Sequence, residues 1–96
     1  MSNYIIYELD EFQPWPGQAC YVYGTAMLTY KWEAPDPDVG WRGGPIDIRL
    51  QSLVISGDAD PLIIPHGSQL FDAVAATLEA SEHVAEQCVK DYENGA

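Results

Sequence analysis

Apolar and polar positions alternate with a period of two through much of the first half of the chain, then shift to a helical period in the last third. Residues Asn3 to Leu9 (NYIIYEL), rich in β-branched and aromatic types, predict a first strand. Asp10 to Gln18 hold Pro14, Trp15, Pro16 and Gly17, which interrupt regular structure. From Ala19 to Trp32 a long strand pattern follows. Its even positions are Cys20, Val22, Gly24, Ala26, Leu28, Tyr30 and Trp32, and its odd positions are Tyr21, Tyr23, Thr25, Met27, Thr29 and Lys31. Successive strand side chains point to opposite faces, so these are two surfaces. The even set is the expected core side, where small Gly24 and Ala26 leave room for a helix to approach.

Glu33 to Gly44 (EAPDPDVGWRGG) is too rich in proline and glycine for regular structure and predicts a long loop. Ile46 to Ser56 predict a third strand, with Ile46, Ile48 and Leu50 on the core side. At Ser52 the alternation fails and Leu53, Val54 and Ile55 run together, as a bulge or a strand covered on both faces would require. Gly57, Asp58, Asp60 and Pro61 mark a turn, and Leu62 to Ile64 form a short apolar plug before Pro65. Beyond Gly67 neither proline nor glycine occurs until Gly95. Ser68 is a natural N-cap, and Leu70, Val74, Leu78, Ser81, Ala85, Cys88 and Tyr92 fall on one side of a helical wheel, flanked by Phe71 and Val89. The spacing predicts one continuous helix from about Ser68 to Tyr92. The expected fold is a single α+β domain over residues 1–96: a three-stranded antiparallel sheet with one long C-terminal helix packed on one face.

The 47% hydrophobic content can build a core without staples. Charge changes the picture more. Four Lys plus Arg stand against fifteen Asp plus Glu, a formal net charge of −11. That balance disfavours direct binding of nucleic acid, which needs cations for its phosphates, and disfavours an anionic membrane surface. A basic protein surface would be attracted. Cys20 and Cys88 lie in apolar contexts and are expected as buried free thiols. The stretch Met1-Ser2-Asn3-Tyr4 lacks the basic flank and apolar run of a signal peptide, and no apolar run has membrane-spanning length, so a cytoplasmic protein is expected.

The inventory for catalysis is thin. His66 sits in the turn Pro65-His66-Gly67, and His83 lies among Glu79, Glu82 and Glu86; solvated surface roles are expected for both. No spacing supplies metal ligands, no histidine neighbours a thiol in sequence, and Gly40-Trp41-Arg42-Gly43-Gly44 precedes a strand instead of opening a helix. Asp58-Ala59-Asp60 begins like a calcium loop, but Pro61 and apolar residues replace the oxygen ligands that should follow. No catalytic residue, metal or cofactor is therefore expected.

Three surfaces are candidates for a partner. Asp72, Glu79, Glu86 and Glu93 recur every seven residues with Glu82 beside them, all within about 80° of a continuous wheel. Such a stripe either solvates the helix or meets a basic groove. The second is the sheet face opposite the helix, where Tyr4, Ile6, Tyr21, Tyr23 and Met27 would form a contact or dimer face unless the Asp10–Gln18 segment with Trp15 covers it. The third is the loop that carries Asp36, Asp38, Trp41 and Arg42, in which Trp41 either reaches a partner or folds back onto the core.

The succession of a Tyr-rich strand with glycine (Tyr23-Gly24-Thr25-Ala26), a Pro/Gly/Asp loop, Pro45-Ile46-Asp47-Ile48, then Val54-Ile55-Ser56-Gly57-Asp58 and a C-terminal helix resembles small acidic accessory proteins of tailed phages and prophages. The likeness covers most of the chain after Ala19 and carries over no site residue. It implies a stoichiometric, non-enzymatic protein-binding module that blocks a basic surface of a host protein in the host cytoplasm. The alternative expectation is a structural or assembly protein that associates with itself through the tyrosine-bearing sheet face.

Overall fold

In the computed structural model, which describes residues 3–57 and 60–95, the chain forms an antiparallel sheet before it turns helical. The strands are β1 (Asn3–Phe12), β2 (Val22–Glu33), β3 (Gly44–Ile55) and β4 (Leu62–Ile63), in the spatial order β1-β2-β3-β4. Two helices follow, α1 (Gln69–Glu79) and α2 (Glu82–Gly95). The α+β class and the antiparallel sheet are as the pattern predicts. The sheet has four strands and not three, because Leu62 and Ile63, read as an apolar plug, pair with Ile55 and Val54. Part of the predicted turn, Asp58 with the start of the calcium-like run Asp58-Ala59-Asp60, lies outside the described residues, as do Met1, Ser2 and Ala96.

Three register slips shape the sheet. On β1 one residue is extra between the pairs Leu9–Gly24 and Phe12–Val22, and Glu11 there takes a φ of 50°. On β3, Met27 pairs with Ser52 but Leu28 pairs with Leu50, so Gln51 bulges. That bulge is why the alternation fails at Ser52: it lets both Leu50 and Leu53 reach the core. A second slip lies between Thr29–Arg49 and Lys31–Ile46, with Asp47 at a φ of 51°, a region aspartate tolerates better than most residues. Paired residues share a face, so this slip puts Ile46 beside Lys31, away from the core. Ile46 therefore departs from the expected grouping with Ile48 and Leu50, only half-buried. Gly24 departs too. A side chain there would collide with the Val54 carbonyl and come within 2.9 Å of Ile55 Cα, so it admits the neighbouring strand, not a helix.

The even face of β2 is the core side. Ala26, Leu28 and Tyr30 are buried with Ile5 and Leu9 of β1, Leu50 and Leu53 of β3, and Ile64. Phe71, Val74, Leu78, Val84 and Cys88 close this face from the helical side. Each such side chain, removed from water, contributes roughly 1.5–3 kcal/mol.

The predicted continuous rod is interrupted. Ser68 caps α1, its Oγ accepting from the Phe71 amide at 3.2 Å, but the helix ends at Ala80, where φ is −100° and ψ is 1°. Ser81 then begins α2 as a cap: its Oγ accepts from the Val84 amide at 3.4 Å, and its carbonyl from the Ala85 amide at 3.1 Å. The break resets the helical phase. In one continuous helix Val84 would sit about 120° away from Leu78; here both are buried. Ser81, expected as an inward core position, serves instead as the joint.

Candidate protein-contact surface

The face of the sheet turned away from the helices is built by the register. Three rows cross it: Tyr4–Thr29–Arg49, Ile6–Met27–Ser52 and Glu8–Thr25–Val54–Ile63. Tyr4, Ile6 and Ile63 are 59%, 58% and 74% exposed, unusual values for large apolar side chains in a β-sheet. Met27 and Val54 lie between them, half-buried by their neighbours on the same face. Tyr23 continues the face toward the β1 bulge, and its hydroxyl is held above the ordinary tyrosine range, first by burial and then by the nearby Glu11 and Asp10. Tyr21 is exposed and precedes β2, so it lies outside the ladder. Of the five sequence-predicted residues, the strand pairing joins Tyr4, Ile6 and Met27 most closely. Val54 and Ile63 belong to the same surface. The run Leu53-Val54-Ile55 carried that signal, since alternate residues of an apolar run must point to opposite faces.

What leaves this face bare is the path of the β1–β2 connection. Pro14, Trp15 and Pro16 do not fold over the tyrosines. They line a shallow cleft of about 520 Å³ together with Gln69, Asp72, Ala73, Ala76 and Thr77 of α1. Pro14 is buried, the Gln18 amide donates to the Trp15 carbonyl at 3.2 Å, and Gln13 Nε2 donates to the Gln18 carbonyl. The segment is thus committed to the helical side.

The loop between β2 and β3 is a closed turn. Asp36 and Trp41 exchange backbone hydrogen bonds at 2.8 and 2.9 Å around a 3-10 turn at Pro37–Val39, and Asp36 Oδ1 accepts from the Asp38 amide at 3.1 Å. Gly40 closes it at a φ of 72°, where a side chain would be strained. Trp41 is 37% exposed and its ring lies by Gly44, while Asp36, Asp38 and Arg42 are exposed. The loop carboxylate of Asp36 serves turn geometry.

The acidic residues of the helices are divided by the break at Ala80. Asp72 and Glu79 belong to α1; Glu82, Glu86 and Glu93 belong to α2. Glu79 is turned inward: its Oε2 accepts from the Leu50 amide at 2.9 Å and its Oε1 lies 3.8 Å from Arg49. Asp72, Glu82, Glu86 and Glu93 remain exposed.

The remaining polar side chains near the core are engaged structurally. Buried Tyr30 donates to Asp91 Oδ2 at 2.7 Å, and burial, followed by that hydrogen bond and then the Asp91 charge, raises its pKa well above the ordinary range. Burial pushes the Cys88 thiol up to about 11, with Asp91 adding to it. Both cysteines are free; Cys88 is buried and Cys20 half-buried. Trp32 stacks on Tyr92 with ring centres 3.9 Å apart. The histidines are exposed but partnered: His83 Nδ1 and the Tyr7 hydroxyl are hydrogen-bonded at 2.8 Å, and His66 Nε2 donates to the Gln51 carbonyl at 2.7 Å while its ring rests on Phe71.

A groove of about 690 Å³ runs between β1 and α2, lined by Asn3 to Ile6 and by Gln87, Lys90, Asp91 and Asn94. Among the described residues no three His, Cys, Asp or Glu side chains converge as a metal site, and no helix is long and apolar enough to cross a membrane. Compared with protein-family models, with curated proteins and with solved structures, the chain matches none.

Proposed function

We propose that the chain is a protein-binding module whose contact surface is the helix-free face of its sheet. One observation carries this reading: Tyr4, Ile6 and Ile63 stand exposed around Met27 and Val54 while the Pro14–Pro16 segment lies across a cleft from α1, on the other side of the sheet. Apolar area of this kind gains roughly 25 cal/mol per Å² when a partner removes it from water. Tyr and Met are favoured at such contacts because they give large contact area together with polar or adaptable atoms. The chain acts by occupying a surface, the mode of action implied by the likeness to phage accessory proteins that block host factors.

A second reading keeps the acidic helices as the contact, directed at a basic host protein. Exposed Asp72, Glu82, Glu86 and Glu93 favour it, since α1 has no Lys or Arg and α2 only Lys90. Glu79 is excluded from that surface by its bonds to β3.

Affinity capture from a lysate of the source cell separates the two. Under the sheet-face reading the immobilised chain retains a protein that Ile6→Asp releases and that a triple Glu82→Gln, Glu86→Gln, Glu93→Gln variant still retains. Release by the triple variant alone would move the contact to the helices. Ile6 is exposed, so the substitution leaves the fold intact, which circular dichroism checks.

A further inference from the structure

β1 is the outermost strand on its side of the sheet, with β2 as its neighbour. Among the described residues, none of the hydrogen bonds outside the β1–β2 ladder engages a main-chain group of Asn3–Phe12. Every second residue of such an edge turns its N–H and C=O outward. The groove of about 690 Å³ between β1 and α2 opens onto this edge. Asn3, Tyr4, Ile5 and Ile6 all line it. Their side chains alternate between the two faces, so what the four share toward the groove is their main chain. Opposite stand Gln87, Lys90, Asp91 and Asn94 of α2. Asp91 already accepts from Tyr30, while Gln87 and Asn94 carry amides that both donate and accept. One residue beyond Ile6, the hydrogen bond between the Tyr7 hydroxyl and His83 Nδ1 at 2.8 Å ties α2 to β1.

We infer that this edge takes up an extended segment of a basic partner protein, which adds to β1 as a further strand and turns alternate side chains into the groove beside α2. The inference goes beyond the sheet-face reading and shares only Tyr4 and Ile6 with it. Main-chain hydrogen bonds hold a strand added in this way, and the side chains of β1 select its sequence. Along its helix-free face β1 reads Tyr4, Ile6, Glu8 and Asp10, all exposed. Cross-strand neighbours lie about 5 Å apart, so apolar residues suit the first two positions and Lys or Arg the last two. Neither salt bridge among the described residues uses Glu8 or Asp10. Lys90 is the one cation among Asn3–Phe12 and the groove-lining residues, and it stands at the Tyr4 and Ile6 end. Small polar residues suit the alternate positions, which turn toward Gln87 and Asn94. A second copy fits the edge poorly: β1 laid against β1 doubles the carboxylates and brings no Lys or Arg.

The probe is the peptide acetyl-KTKTVTV-amide, which in antiparallel pairing sets its lysines against Asp10 and Glu8 and its valines against Ile6 and Tyr4. It spans about 23 Å at about 3.3 Å per residue. Amide hydrogen exchange of the purified chain is followed by NMR as the peptide is raised from about 1 µM to about 1 mM. The expected result is new protection at every second amide of β1. The peptide acetyl-KKTTTVV-amide, equal in composition and charge, binds about tenfold more weakly, and acetyl-ETETVTV-amide more weakly still. The double variant Glu8→Lys, Asp10→Lys, exposed at both sites and checked for fold by circular dichroism, reverses the preference toward ETETVTV. Ile63→Asp, on the strand at the opposite edge of the sheet, keeps the affinity for KTKTVTV within about twofold. Absence of protection in β1 at about 1 mM overturns the inference, as does equal affinity for KTKTVTV and KKTTTVV. Peptide binding lost in Ile63→Asp also overturns it and moves the peptide to the bare face, leaving the sheet-face reading standing. Protection of β1 together with lysate capture that ignores Ile63→Asp and Ile6→Asp supports the edge and removes the sheet-face reading.

Discussion

The two faces of the sheet are made by the same strands and differ in cover as well as in residue type, the bare face mixing apolar side chains with Glu8, Thr25, Thr29, Arg49 and Ser52. On one side Ile5, Leu9, Ala26, Leu28, Tyr30, Leu50 and Leu53 are sealed by α1 and α2. On the other, Tyr4, Ile6, Tyr23, Met27, Val54 and Ile63 are just as β-prone, yet the helices pass them by and the β1–β2 connection is drawn to α1. Hydrophobic type therefore sets which residues are able to be core. The path of the remaining chain decides which of them become core, and a strand rich in apolar residues on both sides has one side left for an external partner.

The contrast is open to direct attack. Leu28→Ala, at a fully buried position, is expected to cost about 2–5 kcal/mol in urea denaturation; a much smaller loss would mean that the covered face is loosely packed. Raising the pH probes the same face without mutation. Cys88 and Tyr30 hold their protons more tightly folded than unfolded, so stability is full below the ordinary thiol value of 9.0 and is lost as pH climbs toward 11. The Cys88 share is on the order of 2 kcal/mol. The slope of denaturation midpoint against pH should flatten in Cys88→Ala, and an unchanged slope would contradict the burial of the thiol. Ser81→Ala removes the cap that starts α2 and should cost about 1 kcal/mol, with Val84 less protected from amide exchange. The smallest effect is expected on the bare face, where Ile6→Ser should change the stability of the monomer by no more than about 0.5 kcal/mol. A loss comparable to that of Leu28→Ala would show that something covers it.

Period two along Val22–Trp32 was enough to name the core side of β2, because the pattern is long and each face repeats it. Ser68 was legible as a cap for the same local reason that it acts as one. The second cap was hidden. Ser81 falls where a continuous wheel also places a small residue, and Ala80 has high helix propensity, so period and propensity both argued for one rod. Val84 was missed with it, since its burial depends on the phase reset at Ser81. The two-residue β4 is too short to carry a period, and only its pairing with Val54 and Ile55 makes it a strand. Of the contact surface, Tyr4, Ile6 and Met27 were readable from alternation. Ile63 and the position of Trp15 were not, because they depend on contacts between segments distant in sequence. The inward turn of Glu79 was equally out of reach: it answers a backbone amide beside a bulge in another strand.

The borders of the sheet are unequal. Along β3, where the short β4 ends, the Leu50 amide and the Gln51 carbonyl are already taken by Glu79 and His66. The outer border of β1 runs the full length Asn3–Phe12 and, among the described residues, β2 is its one strand neighbour. Fibrillar growth by strand addition needs two receptive borders on every subunit, one to give and one to take. Glu79 and His66 interrupt the outer row of β3 near its middle, which shortens one of those two borders and leaves β1 the longer template for strand addition.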